Sequence, residues 1–331
     1  MNRVTSQRSV LGSIVMILLT VGLSTAIAVA GEFPTKPLNI INPWSVGGGV
    51  DRASRALAKE MEKILGGPVV VESRPGATGL RGGDYVVKAK PDGYTMGVFG
   101  DSEFCPEAYS AMRKAPYSSD DLEPVIRWFV LPYGISSRTD RPWKNLDEFI
   151  KYIKDHPNEV RLGHTGVGHT YHTLWYNLAK KHNLKVIEVP FAGAGPAKTA
   201  LRGGHVDFAL TSVSSVQGFI QEGTVKMLAI HHPHRFSEFP NVPTFEELGY
   251  LPGYPYNLKG MWVPVGTPEA RKRKIHDIVK GAIETPSFKA FAKKSLFDPY
   301  YGTPDDLKAA IKAAREIIAP LVEEVAKKYK K

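Results

Sequence analysis

The sequence predicts an α/β fold in about two domains, each built on a mostly parallel sheet with helices on both faces. Short apolar runs of strand length alternate with helical patterns along the chain. About 300 residues remain after an amino-terminal leader, which is enough for two hydrophobic cores. Glycine-rich turns stand where strands give way to helices, and such turns commonly line a ligand crevice in these folds.

The elements of the first part of the chain follow from residue spacing and from turn residues. Ala53, Leu57 and Met61 recur at helical spacing, and Gly66 with Gly67 ends that helix. We therefore predict strands at 38–42, 69–72 and 95–99, with helices at 51–65 and 85–89.

The pattern restarts after Trp128. It predicts strands at 130–136, 186–189, 206–211 and 225–230, with helices at 146–153, 170–182 and 197–201. Thr244 and Glu247 have the spacing of a capping box. Thr-Pro pairs at 267–268 and 303–304 indicate two further helix starts. The last helix carries one apolar face, formed by Leu307, Ile311, Ala314, Ile318 and Leu321.

The first thirty residues predict a secretory signal peptide. Arg3 and Arg8 precede an apolar run that ends in Ala28-Val29-Ala30, a small-x-small pattern typical of cleavage after Ala30. The alternative is a membrane anchor, because the run is nearly long enough to span a bilayer. The cleavage pattern and the loss of apolarity after it favour export to a bacterial periplasm.

Charge and cysteine content exclude several classes of protein. The net charge is +10, and removal of residues 1–30 leaves 41 basic against 33 acidic residues, a charge of +8. A positive field of this size favours acidic partners or small anions, and export argues against nucleic acid. Cys105 is the single cysteine, which excludes an intramolecular disulfide framework, a multi-cysteine zinc site and a cysteine-ligated iron–sulfur cluster.

Three glycine-rich turns are candidate anion sites. We name them the first turn (residues 45–51), the second turn (165–170) and the third turn (191–196). Glycine lets backbone N–H groups approach a ligand, and a helix amino terminus carries free N–H groups with partial positive charge. One such contact supplies about 0.3–1 kcal/mol, whereas micromolar binding needs about 8 kcal/mol. A ligand site would therefore need several of these turns to converge. The alternative is that they are ordinary turns of the fold.

Signatures of catalysis and cofactor binding fail in this sequence. In the third turn, Gly195 and Lys198 are separated where a Walker A motif needs them adjacent, and Tyr171 stands where a dinucleotide motif needs its third glycine. There is no Gly-x-Ser-x-Gly elbow. We therefore predict no cofactor and no enzyme activity.

Ten histidines raise the question of a metal site. Neither histidine group forms a His-Glu-x-x-His motif, and no cysteine or paired carboxylate lies nearby in sequence. We therefore predict that no metal is bound and that the histidines cap helices or lie on a basic surface loop. The two groups are His164, His169 and His172, and His231, His232 and His234.

Six ordered sequence blocks resemble the solute receptors of the tripartite tricarboxylate transporters, the Bug family. Residues 42–51 are similar to the family's Pro-Phe…Gly-Gly-x-x-Asp segment, 71–79 to Glu-Asn-Arg-Pro-Gly-Ala-x-Gly, and 90–95 to Pro-Asp-Gly-Tyr-Thr. Residues 189–207 resemble its Val-Pro-Tyr-x-Gly…Gly-Gly-x-Val-Asp block, and 239–244 and 263–268 match two more. The resemblance covers the chain from 33 to about 328.

The resemblance implies a periplasmic binding protein of type II-like architecture that closes on its ligand between two domains. It implies a signal peptide at 1–30, one domain from 31–134 with 256–331, and a second from 135–255. Asp207 is expected to brace the second-domain turn or to receive a ligand hydrogen bond, unless it caps a strand end. The predicted ligand-binding residues are Trp44, Ser45, Gly47, Gly48, Gly49, Asp51, Ser102, Glu103, Phe104, Thr165, Gly168, His169, Thr170, Phe191, Ala192, Gly193, Ala194 and Asp207.

The sequence departs from the family pattern where ligand specificity is decided. Ala192 stands where a basic or polar residue is frequent, and Trp44 replaces the usual Phe. If Glu103 faces the cleft, it would repel a simple dianion, and the ligand would carry an amine or stack as an aromatic acid on Trp44 or Phe104. If Glu103 is solvated, a di- or tricarboxylate remains the expectation.

These features together predict a periplasmic receptor that is not an enzyme and that acts as a monomer. Its expected partners are a small carboxylate, with an amino acid as one possibility, and the membrane subunits of a tripartite transporter. No nucleic acid is expected. One alternative is a receptor that presents its ligand to a membrane histidine kinase, and a second is a secreted α/β enzyme with a spatially assembled nucleophile and base.

Overall fold

The computed structural model describes residues 33–100, 106, 111–112, 114–191 and 194–329. The predicted signal peptide lies outside the described residues, as do five predicted binding residues: Ser102, Glu103, Phe104, Ala192 and Gly193. Contacts divide the chain into Met1–Thr35 and Lys36–Lys331, and every helix and strand of the described residues lies in the second unit. Within the described ranges, no helix combines the length and the apolarity needed to cross a bilayer.

The first sheet has the strand order β11-β4-β10-β3-β1-β2. β1 pairs in parallel with β2 and with β3. β10 runs antiparallel to both β3 and β4, and β11 runs antiparallel to β4. Its strands are β1 (Leu38–Asn42), β2 (Val69–Ser73), β3 (Thr95–Phe99), β4 (Leu122–Val130), β10 (Leu258–Pro264) and β11 (Asp298–Gly302).

The helices that pack on this sheet complete what we call the first lobe. Their apolar faces supply buried side chains such as Leu57, Val279 and Ile311. The helices are α1 (Gly49–Leu65), α2 (Leu80–Val87), α7 (Glu269–Glu284), α8 (Pro286–Ser295) and α9 (Pro304–Tyr329). Short 3₁₀ helices at Ala77–Gly79 and Ser119–Asp121 connect neighbouring elements.

The second sheet, with the helices around it, forms the second lobe. Its strand order is β7-β6-β8-β5-β9, with β6 parallel to β7 and β8, and β5 antiparallel to β8 and β9. The strands are β5 (Tyr133–Arg138), β6 (Arg161–His164), β7 (Ile187–Pro190), β8 (Phe208–Ser212) and β9 (Val225–His231). The helices are α3 (Leu146–Asp155), α4 (Thr170–His182), α5 (Ala194–Arg202) and α6 (Val213–Gln221).

The chain passes between the lobes through two neighbouring segments. One lies between Val130, which ends β4, and Tyr133, which begins β5; the other leads from residue 232 to β10. The Leu131 N–H donates to the Asn257 carbonyl at 3.0 Å, so the two passages lie side by side. We call this region the crossing. The carboxyl-terminal end of α9 also reaches the second lobe, where Leu321 joins its core.

The structure confirms the α/β prediction and corrects it in detail. Each sheet is mixed, because antiparallel strands lie beside the parallel group in each of them. The helix predicted at 85–89 is Leu80–Val87, and the extended segment predicted at 130–136 is divided between β4 and β5. Thr244 and Glu247 do make both hydrogen bonds of a capping box, but turns follow instead of a helix.

Candidate functional site

The parallel strands bring the glycine-rich turns to the carboxyl edges of the two sheets. In the first lobe, β1 leads into the first turn and α1. In the second lobe, β6, β7 and β8 run in parallel and lead into α4, α5 and α6, so three helices begin at one edge. None of these three helices has an acidic residue in its first turn, so their amino-terminal dipoles are not neutralised there.

The first turn is braced from inside by Asp51. This carboxylate is 2% exposed and accepts hydrogen bonds from the Gly47 N–H at 2.9 Å, from Arg55 Nε at 3.1 Å and from Ser73 Oγ at 3.2 Å. Burial opposes ionisation, but these hydrogen bonds and the Arg55 charge outweigh it and hold the pKa of Asp51 below its usual value. The structure therefore assigns Asp51 to the support of the turn, although the sequence predicted it as a ligand contact.

Asn42, the last residue of β1, fixes Trp44. Its amide nitrogen donates to the Trp44 carbonyl at 2.9 Å, and its amide oxygen lies 3.2 Å from the Trp44 N–H as acceptor. The same amide nitrogen donates to Ser73 Oγ at 2.9 Å, which links Trp44 to the brace of Asp51. Trp44 is half-buried, while residues 45–48 are exposed at the edge of the sheet.

The second turn needs glycine for its backbone shape and histidine for its support. Gly166 and Gly168 have φ values of 113° and 75°, in the left-handed region that favours glycine. His169 is the N-cap of α4, where its Nδ1 accepts from the Tyr171 N–H at 3.3 Å and lies 2.8 Å from Thr165 Oγ1. His169 therefore links the beginning of the turn, at Thr165, to the first residues of α4.

A buried hydrogen-bonded relay of His172 and Glu188 supports Gly168. The Gly168 N–H donates to His172 Nδ1 at 3.1 Å, so the proton of the neutral ring is on Nε2, which lies 2.7 Å from Glu188 Oε2. Glu188 also accepts from Lys328 Nζ at 3.0 Å and from the Tyr329 hydroxyl. Burial opposes ionisation of Glu188, but these hydrogen bonds lower its pKa to about 2. The end of α9 is therefore connected to the second turn.

The third turn lies against the second. The Phe191 N–H donates to the carbonyl of His164, the last residue of β6, at 2.9 Å. Helix α5 then begins at Ala194, with its first turn half-buried or exposed. Of the predicted residues in the second and third turns, the structure brings together Thr165, Gly168, His169, Thr170, Phe191 and Ala194.

The first turn of one lobe meets the second turn of the other. The rings of Trp44 and His169 are 5.1 Å apart, edge to face. A side chain at Gly168 would lie 3.1 Å from the sulfur of Met112, which packs with the first-lobe core. Gly49, at the start of α1, lies close to Leu131 and to Ser214 of α6. Trp44, Gly49, Gly168 and His169 thus form one interlobe region.

A buried cation lies at the same edge of the first sheet. Lys259 on β10 is 3% exposed, and its Nζ lies so close to Gly100 that a Cβ there would be 2.5 Å away. Gly100 follows β3, which is parallel to β1, so the ammonium is near the carboxyl edge that carries the first turn. No local sequence pattern predicts this position of Lys259, because β10 is distant in sequence from β1 and β3.

Two open cavities of the described chain lie elsewhere. One, of about 340 Å³, is lined by residues such as Phe236, Lys293 and Asp298. Another, of about 570 Å³, lies between β4, α7 and the start of α9. We give them less weight as ligand sites than the interlobe region, because that region brings glycine-rich turns of both lobes together.

Asp207 lies at the opposite end of the second sheet from these turns. It precedes β8 and accepts from the backbone N–H and the guanidinium of Arg161, at the start of β6, at 2.8 and 3.1 Å. Arg141 pairs with it at 2.9 Å. Burial opposes its ionisation, but the hydrogen bonds from Arg161 and the charges of both arginines lower its pKa. We therefore remove Asp207 from the candidate site.

Comparison with known sequences decides the family. The profile of the tripartite tricarboxylate transporter family receptor matches residues 53–326. The chain belongs to this family. It is 30% identical over 317 residues to the protein BugT of Bordetella pertussis, a match that covers 94% of this chain and 95% of BugT. A protein of Cupriavidus necator from the gbd 5' region is 30% identical and covers 83% of each chain.

Solved structures of the family share the fold. The periplasmic binding protein BugD has a TM-score of 0.78 and 29% identity, with 88% of this chain and 98% of that chain covered. MatC from Rhodopseudomonas palustris, solved with bound malate, has a TM-score of 0.74 and 27% identity, with 89% and 100% covered. The family consists of periplasmic solute-binding receptors and is not a family of enzymes.

Several supporting residues were missed because they act from a distance in sequence. Asn42, Ser73 and Arg55 hold the first turn, and His172 with Glu188 holds the second. Only His172 carried a signal, since it stands one helical turn from Gly168 in the predicted helix. The others required the pairing of strands that the sequence does not specify.

Proposed function

We propose that this protein captures a small organic carboxylate between its two lobes in the periplasm and delivers it to the membrane subunits of a tripartite transporter. The observation that carries the proposal is the meeting of glycine-rich turns from both lobes, in front of three helix amino termini without acidic residues. Such termini are favourable sites for a carboxylate. A relative of the same fold was solved with malate, which supports a carboxylate ligand.

The charge distribution favours binding of the acid group by the second lobe. Asp51 already occupies the first turn of α1, whereas α4, α5 and α6 have no acidic residue in their own first turns. Each helix contributes only about 0.3–1 kcal/mol when exposed, so the lobes must close over the ligand and exclude water.

The proposed contacts are the exposed and half-buried residues of the turns, with Asp51 and His172 in supporting roles. The predicted domain boundaries at 134/135 and 255/256 fall within or beside the crossing, which makes it the natural hinge. We infer that the protein is exported through a signal peptide cleaved after Ala30. We also infer that it does not transform its ligand, because the contacts proposed here are binding contacts that hold a ligand in place.

The test is a thermal-shift screen of mono-, di- and tricarboxylates, aromatic acids and amino acids, followed by calorimetric titration of the hits. A ligand at a hundred times its dissociation constant should raise the melting temperature by roughly 5 °C for a chain of this size. Gly168→Val should weaken binding at least tenfold, because it introduces a side chain at a positive φ and against Met112.

Gly223→Val is the matched control for that variant. Gly223 has a φ of 72°, with open space around it, at the end of α6 away from the turns. It should lower stability by a similar backbone strain and leave ligand affinity unchanged. Equal affinity of the Gly168→Val variant and the wild type for every hit would contradict the proposed site, and consumption of the ligand would contradict the receptor function.

A further inference from the structure

A second cluster of polar side chains lies beside the crossing, outside the ligand region. His232 directly follows β9, and His234 stands two residues further along. Asp298 opens β11, where it pairs with Val130, the last residue of β4. Asp298 Oδ2 lies 3.1 Å from His232 Nε2 and 3.8 Å from His234 Nε2. We name these three residues the crossing cluster, and its members come from both lobes.

The inner histidine is held with one nitrogen aimed at the carboxylate. The His232 side chain is 0% exposed, and its Nδ1 lies 2.8 Å from the His234 carbonyl. Nδ1 therefore carries the proton, and the 3.4 Å approach of the His234 N–H to it is too long to reverse this assignment. The buried Nε2 makes no hydrogen bond within the described part of the chain.

A buried nitrogen that faces a carboxylate without a hydrogen bond has an unmet need for a partner between the two groups, such as an ion or a water molecule. A metal ion meets it directly, because it binds to the lone pairs of both. The bond from His232 Nδ1 to a backbone carbonyl is also the outer contact that orients metal-binding histidines.

We propose that the crossing cluster binds one divalent transition-metal ion of the zinc class. Two imidazole nitrogens and one carboxylate oxygen are ligands that zinc accepts, with a fourth position left for water or an anion. Ligand atoms about 2.1 Å from a tetrahedral ion lie about 3.4 Å from each other. The separations of 3.1 and 3.8 Å lie on either side of that value.

The cluster has an entry path from solvent. A cavity of about 340 Å³ is lined by His234 and Asp298, whose side chains are 63% and 23% exposed. Lys289 and Lys293 line the same cavity, and they oppose a cation while favouring an anion in the fourth position. The sequence missed this site because Asp298 is distant from the two histidines along the chain.

A similar trio beneath the second turn is a weaker candidate. His164, His172 and Glu188 also place their ligand atoms within 4.8 Å of one another. However, Glu188 already accepts from His172, Lys328 and Tyr329, and a cation there would have to displace Lys328. The crossing cluster has no such competing ammonium among the contacts of Asp298 in the described residues.

The test is titration of Zn²⁺ into the purified protein, carrying no histidine tag and freed of metal with a chelator. We expect one tight site per chain and a rise in melting temperature of roughly 5 °C at a hundredfold excess over the dissociation constant. Co²⁺ should give the visible absorption of a four-coordinate site. His234→Ala and Asp298→Asn should each weaken Zn²⁺ binding about 100-fold, since even the loss of an orienting partner costs about 10- to 100-fold.

His205→Ala is the control, because His205 is an exposed histidine of the second lobe outside the cluster. It should bind Zn²⁺ as the wild type does. Circular dichroism of each variant separates loss of the ion from loss of the fold, and His234 is exposed enough for its removal to be tolerated. Absence of a stoichiometric site in the wild type, or unchanged binding in both cluster variants, would overturn the proposal without bearing on the carboxylate site.

Discussion

The first and second turns have the same outline but different internal supports. Each connects a parallel strand to a helix and contains glycine at positive φ. The first is held by a carboxylate, Asp51, which accepts from Gly47. The second is held by an imidazole, His172, which accepts from Gly168. The two lobes thus support equivalent turns with different groups, a carboxylate in the first lobe and an imidazole in the second.

The difference has consequences for both charge and pH. The carboxylate of the first turn neutralises the dipole of its own helix, so the first turn is a poor anion site by itself. The imidazole of the second turn adds no negative charge, and α4 has no acidic residue in its own first turn. The second turn is held by an imidazole nitrogen that accepts a hydrogen bond, whereas the first is held by a carboxyl whose pKa is lowered.

The largest expected effect is a loss of stability in mild acid. Burial lowers the pKa of His164 to about 4, and burial likewise lowers that of His231 to about 4. The unfolded chain protonates both near pH 6.5, so the free energy of unfolding is undiminished above that pH and falls as pH drops toward 4. The loss is on the order of 3 kcal/mol for each histidine. Urea unfolding from pH 7.5 to 4 measures it.

The carboxylate of Glu188 affects stability at a lower pH than the buried histidines do. Glu188, with a pKa of about 2, contributes stability that is present above about pH 4.5 and is lost as pH falls toward 2. His164→Phe should remove about half of the slope between pH 6.5 and 4, because His231 still titrates. A free energy of unfolding that stays constant from pH 7 to 4.5 would refute the role of buried neutral histidines.

The next largest effect concerns the support of the first turn. Asp51→Ala should lower the free energy of unfolding by about 2–3 kcal/mol, because it leaves the Gly47 N–H and Ser73 without their acceptor. The cost stays below that of a fully buried ion pair, since the Arg55 side chain is 48% exposed and can be hydrated. Urea unfolding measures the change, with Asp51→Asn expected to be intermediate. A variant as stable as the wild type would exclude the bracing role.

The sequence predicted those parts of the fold that local patterns determine. The bounds of β1, β3 and α4 were predicted as observed, because alternating apolar runs and clear caps define them. The helix observed at Leu80–Val87 was predicted too late in the chain, at 85–89, because Gly82 and Gly83 are typical of a loop. They are instead glycines packed closely against Pro43 and Tyr117. Antiparallel partners such as β10 and β11 depend on contacts between distant segments, which local patterns do not encode.

The candidate site, like the fold, could be predicted only in part. Gly168, His169 and Trp44 could be selected from turn chemistry and from family resemblance, and the structure brings them together. Asp51 and Asp207 were selected by the same motifs, yet both face arginines and backbone inside their own lobes. A motif records which residues accompany a turn, but the direction of a carboxylate depends on partners that the motif does not contain.

The smallest of the expected effects tests the imidazole support directly. His172→Phe keeps a ring of similar size against His164, whose ring centroid is 4.5 Å away, and against Tyr329. It removes the acceptor for the Gly168 N–H and one donor to Glu188, which should lower the free energy of unfolding by about 1–2 kcal/mol. Ligand affinity should fall further than stability alone requires, because the second turn loses its fixed geometry.

His182→Phe is the matched control, since it changes the same residue type at the other end of α4, beside Tyr250. It should change stability by no more than about 0.5 kcal/mol and leave affinity unchanged. If His172→Phe lowers stability but binds ligand as the wild type does, the relay serves only the core of the second lobe. If affinity falls while the His182→Phe control is unaffected, the imidazole fixes the anion-binding turn, as the carboxylate of Asp51 fixes the turn opposite.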